Sequence, residues 1–99
     1  MRTLARYPVT SSGRLLGTLH EMVIDDPRGP IKMWRVENQD RQFVGYADAQ
    51  GRFFQRVPFA ATERFIGIYA MESGLAVLYE TDAKITIQAA EADLRKSQR

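Results

Sequence analysis

The stretch Arg52-Phe53-Phe54-Gln55-Arg56 sets basic and aromatic side chains at alternate positions. In an extended strand, Arg52, Phe54 and Arg56 share one face, while Phe53, Gln55 and Val57 share the other. Arg41 and Tyr46, on the strand expected beside it, extend the first face. Rings flanked by guanidinium groups on a β-surface can stack unpaired bases and neutralise phosphates. The same residue types anchor protein interfaces, where aromatics and Arg are enriched. A third reading makes Phe54 plain core on a strand that bends. The candidate binding residues are therefore Arg41, Tyr46, Arg52, Phe54 and Arg56. Between the two binding readings a protein partner, or a second copy of the chain, is preferred; RNA or single-stranded DNA is the alternative.

No other cluster competes with this one. His20 is the only histidine; it shares a strand face with Met22 and Ile24 and is expected to be hydrogen-bonded and structural. A general base would need an oriented nucleophile, and Ser11, Ser12, Ser73 and Ser97 fall in turns or the tail. Asp25-Asp26 has only Glu21 near it in sequence, whereas a hard cation wants several converging oxygens, so a capped turn is the expectation. The absence of cysteine excludes disulfides, thiolate catalysis and cysteine-bound zinc. The glycines are scattered singly, unlike a phosphate-binding loop. No enzyme, cofactor, metal or small-molecule substrate is expected.

Ninety-nine residues, 44% hydrophobic and 26% charged, fit one soluble domain. The formal charge of +2 is too even to imply nucleic acid by itself. Eleven of the 14 basic residues are Arg, which either reflects a GC-rich genome or a choice of bidentate anion contacts. No apolar run approaches the roughly 20 residues of a membrane span. The start, MRTLARYPVT, lacks an apolar signal-peptide core. A cytoplasmic bacterial protein is the expectation.

The elements that must position the Arg-aromatic face read as short strands. Gly13–Asn38 is the clearest stretch: an apolar strand over Leu15–Ile24, a turn at Asp25-Asp26-Pro27-Arg28-Gly29-Pro30, and a returning strand over Ile31–Asn38. Thr3–Thr10 precedes it, at an edge or bulged at Pro8. Gln42–Ala47, Arg52–Val57, Phe65–Met71, Leu75–Glu80 and Lys84–Gln88 supply the later strands, with one helical turn over Phe59–Arg64. The predicted core is Leu16, Leu19, Val23, Ile24, Val36, Phe65, Ile68, Val77 and Leu78. Six to seven antiparallel strands with regular turn signals predict an all-β, small, partly open barrel of residues 1–88. Residues 89–99, Ala-rich and free of Gly and Pro, predict a short helical or frayed tail.

The order of these signals resembles the PRC-barrel family of small β-barrels. The residues that carry the resemblance are Gly13, Leu16-Gly17, Ile24-Asp25, Gly29, Ile31–Val36 and Val57-Pro58-Phe59, with Ala60–Arg64 as linker and Phe65–Tyr69 as closing strand. It covers roughly residues 7–80, and only order and spacing give it weight. The segment Gln39–Arg56 is longer and more aromatic than the family's link. The resemblance implies an adaptor module that binds another protein or a ribonucleoprotein, with no catalytic residue among the matched positions.

Overall fold

Ser12 and Gly13 both take positive φ, 52° and 78°. A two-residue hairpin loop needs that pair to match the twist of its strands, and here it joins β1 (Arg2–Ser11) to β2 (Arg14–Asp26). Pro27 and Arg28 form the next two-residue loop, where Asp26 Oδ1 accepts the Arg28 N–H at 2.9 Å. It leads into β3 (Gly29–Asn38), after which β4 (Phe43–Asp48), β5 (Arg52–Arg56) and β6 (Glu63–Ile68) follow antiparallel. The computed structural model describes residues 1–90 and the backbone of residues 92 and 93.

One sheet results, ordered β6-β5-β4-β3-β2-β1-β7, where β7 is Thr86–Ile87. A second two-residue strand, β8 (Ala92–Asp93), pairs with β1 at Ala5 and Arg6. The sheet is not closed, and its far end is β6. This is a small, partly open all-β barrel with one short helix, as the strand pattern predicts.

One face of the sheet carries the core. Val9, Leu19, Val36, Ala47 and Phe53 are all but fully buried there, and cross-strand pairing sets Leu19 beside Val36 and Ala47 beside Phe53. Helix α1 (Met71–Leu78) lays Gly74, Leu75 and Leu78 on this face. Gly74 is required by close approach: a Cβ there would overlap the Phe53 ring. The helix ends with Glu80 at φ 54°, while the Thr81 N–H reaches the Ala76 carbonyl and the Glu80 N–H that of Val77. These are the paired bonds of a Schellman stop. Glu21 is buried at the margin of the same face. It accepts from the Tyr7 hydroxyl at 2.9 Å and pairs with Lys32 Nζ at 2.6 Å, the arrangement a buried carboxylate needs.

Four expectations need correction. Leu75–Glu80 is not a strand: Leu75 and Leu78 bury one helical stripe, and Gly74, which looks like a turn residue, makes room for Phe53. The helical turn expected over Phe59–Arg64 is a hairpin loop closed by Val57 N–H to Thr62 C=O, and β6 already begins at Glu63. Phe65, Ile68 and Val77 are exposed, not core, because β6 ends the sheet and Val77 lies on the outer side of α1. Leu16 and Ile24 are half-buried. Of the tail over 89–99, expected to be helical or frayed, Ala92–Asp93 pair as a strand with β1. The rest of that expectation, from residue 94 on, lies outside the described residues. Pro8 sits in β1 between the short partners β7 and β8, its carbonyl taking the Gln88 N–H at 2.9 Å. The N–H that proline lacks falls where the pairing of β1 passes from β7 to β8.

Candidate binding face

Across the face turned away from α1 runs a row of side chains that spans six strands. Strand register pairs Arg6 with His20, His20 with Arg35, Arg35 with Tyr46, Tyr46 with Phe54, and Phe54 with Phe65. At a strand spacing of about 4.8 Å, these six residues run about 24 Å across β1–β6. One half of the row is basic and the other aromatic.

In the aromatic half the rings engage each other. Tyr46 and Phe54 stack with centroids 4.7 Å apart and planes 14° from parallel, so their normals run across the strands and the rings stand up from the sheet. Phe65 leans on Phe54 at 5.6 Å and 57°. Burial raises the Tyr46 hydroxyl above its ordinary range, helped by the charges of Glu63 and Asp48. Phe65 is 54% exposed and Ile68 is 70% exposed. Arg52 is paired with Asp48. Burial alone would raise the Asp48 carboxyl, but hydrogen bonds from the Arg52 backbone and side chain and from the Gln50 N–H hold it below the usual range. Arg64 donates to the Gln55 amide at 2.8 Å. Arg56 lies across from Glu63 and makes no ion pair among the described residues.

The basic half is organised by Glu37. Its carboxylate takes the His20 ring nitrogen at 2.9 Å on one oxygen and Arg35 Nε at 3.0 Å on the other. Burial pushes this carboxyl up, but the bonds and charges of Arg35 and His20 outweigh it and hold it below the usual range. The Arg35 guanidinium lies 4.6 Å over the Phe43 ring, joining the two halves. Beneath, Gly17 lets β3 approach: the Tyr79 hydroxyl donates to the Glu37 carbonyl at 2.6 Å, where a Cβ on residue 17 would intrude.

Of the five residues singled out in the sequence, Tyr46 and Phe54 are in contact, and Arg52 and Arg56 flank them on β5. Phe54 is therefore not core; Phe53 is. Arg41 is elsewhere, in the β3–β4 loop beside Arg6 and His20. Sequence reasoning missed Phe65, Arg35, Glu37 and Phe43. Their membership depends on strand register, which includes bulges at Val36/Glu37 and Phe53/Phe54. His20 is hydrogen-bonded as expected. Among the described residues, no three His, Asp or Glu side chains gather as metal ligands would, and no helix is long and apolar enough to cross a membrane.

The fold and this face together describe a small, partly open β-barrel with an aromatic–arginine surface. No family model matches the chain, and no solved structure does. Among curated proteins it is similar to the mRNA 3′-end-processing protein rna14 of Aspergillus fumigatus, with 37% identity over 83 residues. The protein of the same name from Aspergillus oryzae is 35% identical over 83 residues. The matched stretch is 76% of this chain, but the chain spans only 8% of the length of either relative. Both relatives are fungal, which overturns the bacterial origin expected from the sequence.

Proposed function

We propose that the chain is a non-catalytic binding module, of PRC-barrel type, that docks a protein partner through the aromatic half of its open face. One observation carries the choice of protein over nucleic acid. Tyr46 and Phe54 each turn one π-face to the other and Phe65 leans on Phe54, so the pair offers a base little open ring surface, and Arg52 is already held by Asp48. What remains open is an apolar rim, Phe65 and Ile68, with Arg56 beside it. That is the composition of an interface anchor with a polar border. The partial likeness to mRNA 3′-end-processing proteins supports a partner within an assembly that handles mRNA 3′ ends.

The test is capture from a fungal lysate, with and without nuclease, using the wild type, Phe54→Ala and Phe65→Ala. A protein retained by the wild type after nuclease, released by both variants and insensitive to salt between about 50 and 200 mM, is the expected result. Oligonucleotide binding at physiological salt that an Arg52→Ala/Arg56→Ala variant abolishes would replace this reading with nucleic-acid recognition.

A further inference from the structure

The basic half of the open face contains a cleft of about 670 Å³, lined by Arg6, Leu15, Thr18, His20, Glu37, Asn38, Gln39 and Arg41. Its size falls among ligand sites of roughly 300–1,000 Å³, but its walls are mostly polar. Glu37 is the one carboxylate in the lining, and both its oxygens are occupied, by His20 and by Arg35. Arg6 and Arg41 make no ion pair among the described residues. Two guanidinium groups thus face one cleft whose one carboxylate, Glu37, is engaged by His20 and Arg35 rather than by them.

The backbone at Arg41 adds a second, independent observation. The β3–β4 and β4–β5 loops are built alike. Asn38 Oδ1 accepts the N–H groups of Asp40 and Gln42, and Asp48 Oδ1 accepts those of Gln50 and Arg52. The third residue after each cap takes a left-handed φ: Gly51 at 83° in one loop, Arg41 at 62° in the other. Glycine is the low-strain choice at such a position, and a side chain there is disfavoured. The strained loop is the one whose side chain reaches the cleft.

We infer that this cleft binds a phosphate group, with Arg6 and Arg41 as its cationic ligands and the Thr18 hydroxyl and Gln39 amide as neutral donors. Guanidinium forks match phosphate oxygens in geometry and charge. Two sources share that chemistry, a free nucleotide and the backbone of a single-stranded nucleic acid. The site is separate from the aromatic docking half and does not depend on it.

The experiment follows the Arg side-chain Nε–H resonances by NMR while inorganic phosphate, AMP or a six-residue oligouridylate is added at constant ionic strength. Arg6 and Arg41 should move with at least one phosphate-bearing probe and stay still with chloride. Affinity should fall about tenfold or more in Arg41→Gly, whose melting temperature should be no lower than that of the wild type, since glycine relieves the loop. Arg6→Lys should retain part of the affinity that Arg6→Ala loses. Saturation by AMP identifies a free nucleotide; binding by the oligonucleotide alone, with steep salt dependence, identifies a nucleic-acid backbone. Unchanged affinity in Arg41→Gly, or an equal loss in Arg28→Ala at the distant β2–β3 loop, would overturn the assignment.

Discussion

Phe53 and Phe54 are adjacent in the chain and identical in chemistry, yet they lie on opposite faces with opposite consequences. Phe53 is 1% exposed, edge-on to Tyr69 at 5.9 Å and covered by Gly74 of α1. Phe54 lies between Tyr46 and Phe65 on a face that no helix covers among the described residues. The difference comes from the period of two in a strand, combined with the one helix among the described residues, which is too short to cover more than one side. The barrel has one face committed to its core and one that no helix covers among the described residues.

Truncation separates these roles most sharply. Phe53→Ala should cost about 3–5 kcal/mol, a large share of the roughly 5–15 kcal/mol that a domain has. Phe54→Ala should cost only about 1–2 kcal/mol, the loss of its two ring contacts, and yet release the protein partner. Denaturant midpoints decide between them. Equal losses would mean that the open face is a second core.

Next in size is the close approach that holds the two faces together. Gly17→Ala places a Cβ against the Glu37 carbonyl and the Tyr79 hydroxyl, and backbone cannot yield as a flexible side chain can. A loss of at least about 1–3 kcal/mol is expected. Gly74→Ala meets a ring instead and should cost less. A reversed order, read from melting curves of the two variants, would show that α1 rather than the β2–β3 contact limits packing.

How much of this was legible in the sequence follows from range. Turns are local: Ser12-Gly13 and Asp26-Pro27-Arg28-Gly29 declare themselves, and so did the parity that puts Phe54 opposite Phe53. Helix α1 was hidden because Leu75, Val77 and Tyr79 alternate as strand residues do, while the reason for Gly74 is a ring 21 positions earlier in the chain. The row Arg6–His20–Arg35–Tyr46–Phe54–Phe65 was illegible because its members meet only through register, shifted by bulges at Thr3/Ala5, Val36/Glu37 and Phe53/Phe54. Phe65 reads as core in the sequence because an edge strand's exposed ring has the same composition as a buried one.

Smaller still is the link from α1 to the open face. Tyr79, just past the helix, donates to the Glu37 carbonyl at 2.6 Å, so Tyr79→Phe should cost about 1 kcal/mol. Burial, and then the Glu37 charge, push the Tyr79 hydroxyl well above its ordinary value of 10.0. The folded state therefore holds this proton more tightly than the unfolded chain, and the stabilisation is complete below about pH 10 and lost as pH rises beyond it. Wild type and Tyr79→Phe should converge in melting temperature above pH 10. Divergence there would place the raised group elsewhere.

The smallest effect belongs to the Glu37 carboxylate, because Arg35 is 39% exposed and solvent screens the pair; less than about 1 kcal/mol is expected. Its sign is opposite to that of Tyr79. The folded-state value lies below the ordinary 4.5, so the folded protein releases this proton more readily than the unfolded chain. The stabilisation is complete above pH 4.5 and disappears as pH falls through the depressed value. Asp48 titrates in the same sense from 3.8, so the wild-type curve alone is ambiguous. The difference between wild type and Glu37→Gln isolates the group, and it should shrink as the pH is lowered from 7 to 3. The same variant sharpens the contrast between the faces. Removing this charge frees Arg35 in the basic half while leaving the covered face untouched, so Glu37→Gln should bind phosphate more tightly at pH 7 while its stability barely moves. A fall in both would mean that Glu37 holds the cleft's shape rather than its charge.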